Sequence, residues 1–173
     1  MVSWKAKGAY KKFLKRHDHT SENPDYAVWV TVAPEVQRFC SDYLKSHPEA
    51  GVDELNLHLK QYLGLNAEWN YDLFIEMRVS LESLFRPWVD PPDRRQPSRP
   101  PRRKDHAAGV EHRRLPREFY TNLYYKSFRA GGVEPWTGIG YTYDWGNPES
   151  KRSASELILT PNAPYEIDLA SKN

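Results

Sequence analysis

Two stretches of this sequence hold side chains whose types and spacing could do chemistry. Residues 71 to 79, YDLFIEMRV, alternate: Leu73, Ile75, Met77 and Val79 point one way, and Asp72, Phe74, Glu76 and Arg78 the other. That is the two-residue period of a strand. Its charged side is either a solvated outer face, with Glu76 paired to Arg78, or the wall of a polar cleft. In residues 134 to 148, EPWTGIGYTYDWGNP, the bulky Ile139, Tyr141, Tyr143 and Trp145 alternate with Gly140, Thr142 and Asp144. The alternation predicts a strand with one heavy aromatic face and one small, polar face. Small residues let a backbone or a flat ligand come close.

Other chemistries find little support. The chain has no G-x-x-x-x-G-K-[ST], no G-x-G-x-x-G, no H-E-x-x-H and no G-x-S-x-G, so the common phosphate-loop, dinucleotide, metalloprotease and nucleophile-elbow patterns are missing. Its six histidines, His17, His19, His47, His58, His106 and His112, do not pair with carboxylates at metal-ligand spacing on one element, and no metal is expected. The single Cys40 excludes an intrachain disulfide. It falls on the apolar stripe of a helix, where a thiol packs as a small hydrophobe.

The elements that must position these residues follow from periodicity. The 173 residues fit one domain. A net charge of +2 makes any basic footprint local. No apolar run is long enough to span a membrane. The basic start lacks the apolar core of a signal peptide, which implies a cytoplasmic location in the producing cell or export by another route. Residues 1 to 25 read as a basic N-terminal arm in which Tyr10, Phe13 and Leu14 allow a short helix.

Residues 26 to 173 read as a single domain. A strand over 26 to 32 leads to a helix that Pro34 opens, with Val36, Phe39, Cys40, Tyr43 and Leu44 as its stripe. A second helix carries Leu55, Leu59, Tyr62 and Leu63, and Gly64 stops it. Residues 87 to 114, rich in Pro and Arg, predict a mobile loop that could contact nucleic acid or an acidic partner. Residues 115 to 128 predict a third helix, and 155 to 169 two short strands around a Pro-Asn-Ala-Pro turn. Helices early and strands late make an α+β pattern with a mostly antiparallel or mixed sheet.

Two resemblances enter here. VWVTVAPEVQRF, LFRPWVDP and PWTGIGYTYDWGNP followed by SASELIL resemble segments of a set of bacterial proteins of unassigned activity; the likeness implies a bacterial source and a common fold, and brings no activity with it. SELILTPNAPYEI resembles the closing strands of ADP-ribosyltransferase-type toxins. That likeness implies that Glu156 contacts the nicotinamide ribose of NAD. A carboxylate there stabilises the positive charge that builds as the nicotinamide bond breaks. It also implies that Arg78 holds the dinucleotide phosphates and that Tyr141 or Tyr143 stacks on nicotinamide, with Thr142 and Asp144 beside them. The family's first glutamate is replaced, since Ala154 and Ser155 precede Glu156.

Three functional expectations result. The first is a toxin- or effector-like enzyme that uses NAD, as a transferase or glycohydrolase. The second is a small ribonuclease toxin with the basic loop as its RNA footprint. The third is a non-enzymatic domain that binds an acidic cognate protein of the immunity type.

Overall fold

The computed structural model describes residues 1–23, 26–87, 121, 137–147, 149 and 153–172. In chain order these form β1 (Val2–Lys5), α1 (Lys7–Phe13), β2 (Val28–Val30), α2 (Ala33–Ser46), α3 (Val52–Tyr62) and β3 (Leu73–Val79). A 3-10 turn (Leu81–Ser83) then leads to β4 (Leu84–Phe85), β5 (Leu157–Leu159) and β6 (Tyr165–Lys172). The result is an α+β domain with two small antiparallel sheets, ordered β1-β3-β6 and β2-β5-β4. A bridge between Val2 and Thr31, with amide bonds of 2.8 and 2.9 Å, stitches the sheets together. The Pro/Arg-rich loop expected after residue 87 and the helix expected over 115 to 128 lie outside the described residues, apart from Pro87 and Thr121.

The N-terminal segment, read from sequence as a basic arm, supplies an edge strand. β1 pairs antiparallel with β3, from Val2 opposite Glu76 to Lys5 opposite Leu73. The physical reason is the alternation of Val2 and Trp4, both buried. Their apolar surface outweighs the basic neighbours, whose charges sit on the exposed side of α1. Residues 18–21 are tied down as well: Tyr165 N donates to Asp18 O and Thr20 N to Ala163 O, each at 2.9 Å.

β3 divides the interior into two cores. Leu73, Ile75 and Met77 join Leu14, Val28, Val30, Leu157, Leu159 and Tyr165 on one side. On the other, Trp4 stacks on Phe74 at 5.1 Å and 3°, and α2 and α3 cover the pair with Val36, Phe39 and Leu59. Burying each such aliphatic side chain contributes about 1.5–3 kcal/mol. Phe74 thus lies on the face opposite Leu73, Ile75 and Met77, as alternation places it, but packs into a second core instead of facing solvent or a polar cleft. Cys40 packs at the edge of this second core, and burial pushes its thiol above the ordinary value.

Candidate functional site

Four separate segments meet at one place. Pro34 and Glu35 lie in the first turn of α2, where a carboxylate suits the positive end of the helix. The Glu35 carboxylate accepts two hydrogen bonds of 2.8 Å, from Ser155 N to Oε2 and from Ser155 Oγ to Oε1. Arg86, the residue after β4, donates from Nη2 to the same Ser155 Oγ at 3.2 Å. Its guanidinium carbon also lies 4.8 Å from the centre of the Tyr141 ring, within cation–π range.

The backbone beneath this cluster is an interrupted strand pair rather than the regular strand expected over 139 to 145. Tyr141 bridges Ser155, Thr142 N donates to Ala154 O at 2.9 Å, and Glu156 N donates to Gly140 O at 3.0 Å. Gly138 and Gly140 take φ of 69° and 73°, which bends the segment out of a continuous ladder. Gly140 has a second reason to be glycine. A Cβ there would lie 2.7 Å from both Cγ and Cδ of Arg86.

The residues proposed from sequence fall in two places. Glu156 precedes β5 and adjoins the cluster; the residue is half-buried and its Oε2 is buried. Tyr141 lies under Arg86. Thr142 and Asp144 are nearby but serve the loop. Thr142 Oγ1 donates to Tyr62 O at 2.8 Å and accepts from Ala154 N at 3.0 Å. The buried Asp144 accepts from Gly146 N at 2.9 Å and from Asn147 N at 3.1 Å. Tyr143 is 46 % exposed. Burial, then the nearby Glu35 carboxylate, raise the Tyr62 hydroxyl above its ordinary value.

Arg78 belongs elsewhere. It lies in β3 of the first sheet, on the exposed face, and donates to Glu166 (3.4 Å) and to Asp168 of β6. A register shift at Glu76/Met77 leaves Asp168 as the extra residue of β6. An ion pair this open is worth little to stability, yet it engages the guanidinium with two carboxylates.

Sequence reasoning missed Glu35, Arg86 and Ser155. The signal that could have found them was the set of segments quoted for the bacterial resemblance: the PE of the helix start, LFRP, GYTYDWG and SE. These contribute Glu35, Arg86, Tyr141, and Ser155 with Glu156. Among the described residues no group of three or more His, Cys, Asp or Glu could hold a metal ion, and no helix is long and apolar enough to cross a membrane. No family model, curated protein or solved structure matches the chain.

Proposed function

We propose that the chain is a toxin- or effector-like enzyme that uses NAD, as an ADP-ribosyltransferase or an NAD glycohydrolase, with its site around Glu156, Arg86 and Tyr141. One observation carries this reading: the half-buried Glu156 directly follows Ser155, whose hydroxyl is held by a guanidinium stacked on the Tyr141 ring. In the reaction the C–N bond between ribose and nicotinamide breaks, and its electron pair leaves with neutral nicotinamide. Glu156 stabilises the ribosyl cation that develops. Water or a target hydroxyl then adds to that carbon and gives its proton to solvent. Arg86 takes the phosphate-holding part first assigned to Arg78, because Arg78 is committed to Glu166 and Asp168.

Comparison of two conservative variants tests the assignment. Arg86→Lys keeps the charge but loses the planar fork; it should raise KM for NAD or abolish turnover, while Arg78→Lys should match the parent. The opposite ranking would remove Arg86 from the site. A second reading, a non-enzymatic domain for an acidic partner, draws support from the exposure of Ile139, Tyr143 and Trp145 along one loop. It predicts no nicotinamide release by any variant.

A further inference from the structure

We propose that the cavity between α1 and the start of β2 binds a small organic anion with an apolar body, held by the ammonium of Lys5. The cavity measures about 580 Å³, inside the usual range for small-molecule sites of about 300–1,000 Å³. None of its lining residues belongs to the Arg86 cluster, so it is a separate site and does not depend on the NAD reading.

The argument starts at the strand. β1 alternates, so Val2 and Trp4 face the helices while Ser3 and Lys5 face the opposite way, toward Leu14 and Val28. Lys5 thereby enters the cavity at the end of β1. Among the described residues no hydrogen bond or ion pair engages its side chain. Desolvation lowers its ammonium below the ordinary lysine value. Among the described residues that cation has no counter-charge, and such groups seldom persist without a partner.

The described walls do not supply that partner. The carboxylate nearest in sequence, Asp18, pairs with the His19 ring at 2.9 Å and has a side chain 90 % exposed. The remaining polar groups include the imidazoles of His17 and His19. Thr20 also lines the cavity, but its hydroxyl is engaged with Thr160 O at 2.6 Å and Ala163 N at 2.8 Å. The rest is apolar. Phe13 and Tyr26 stack with ring centres 5.5 Å apart although they are 41 % and 55 % exposed. That pair forms a flat lip suited to the body of a ligand whose charged end reaches Lys5.

Calorimetric titration of the whole chain with phenyl phosphate and, separately, benzoate tests this. At least one should bind with one-to-one stoichiometry. Tighter phenyl phosphate identifies a phosphate monoester as the natural group, and tighter benzoate a carboxylate. Lys5→Met should weaken binding by about tenfold or more, the value of a lost charge-assisted contact. Its thermal midpoint should stay level or rise, because a desolvated charge is removed; a purely structural lysine would lower it. Tyr26→Ala, which alters an exposed side chain only, should weaken binding in the same direction if Lys5→Met does not fold. Absence of binding to the parent chain, or equal binding by both variants, would overturn the proposal.

Discussion

Replacing Gly140 by alanine strikes the site through one atom. The residue sits at φ 73°, and an L side chain in that region costs about 1–2 kcal/mol. The new Cβ would also lie 2.7 Å from Arg86 Cγ and Cδ, so the arginine must swing away. It then gives up its stack on Tyr141 and its bond to Ser155, together about 1–3 kcal/mol for a half-buried guanidinium. The expected loss is therefore about 2–5 kcal/mol, read from urea unfolding as a lower midpoint at unchanged slope. Repeating Gly140→Ala in an Arg86→Ala background separates the parts. With no arginine to displace, only the backbone penalty of about 1–2 kcal/mol remains. An identical cost in both backgrounds would refute the claim that Gly140 exists to admit Arg86.

Other outcomes follow from the same contacts. Ser155→Ala removes the hydroxyl shared by Glu35 and Arg86 and should cost about 1–3 kcal/mol by thermal or urea unfolding; a neutral result would mean that water replaces it. Deleting residues 1–5 exposes β3 and removes Trp4, whose burial alone is worth about 3–5 kcal/mol. Cooperative unfolding should be lost, and a truncated chain with the parental midpoint would restore the arm reading. The Tyr165 hydroxyl donates to Leu14 O at 2.9 Å, and burial, then Asp18, raise it from 10.0 to about 12. Because the folded state holds this proton more tightly, its stabilisation is intact below pH 10 and lost as pH rises toward 12. Tyr165→Phe should therefore lose less stability than the parent across that window, and parallel pH profiles would contradict the assignment.

Local periodicity carried most of what the sequence revealed. Pro34 and the stripe from Val36 to Leu44 marked α2, although Leu44 ends up 42 % exposed, and the alternation from Leu73 to Val79 marked β3, whose apolar side is buried. β1 was hidden for the opposite reason: Val2 and Trp4 are too few to stand out, and become a strand only against β3. The Tyr141 region alternates like a strand, but two glycines at positive φ turn it into a loop. Glu35, Arg86 and Ser155 come from segments far apart in sequence, so their meeting depends on the pairing of β2, β4 and β5. Arg78 was placed on the correct face, yet its acidic partners come from β6, which its own segment does not reveal.

Release of nicotinamide from NAD by the purified chain, alone and with cell lysate, beside Glu156→Gln, tests the proposed activity most directly. The account predicts release by the parent that falls about 100-fold or more in the variant, the scale of a lost electrostatic stabiliser. A folded parent that releases none in either setting, or a variant as active as the parent, would contradict it.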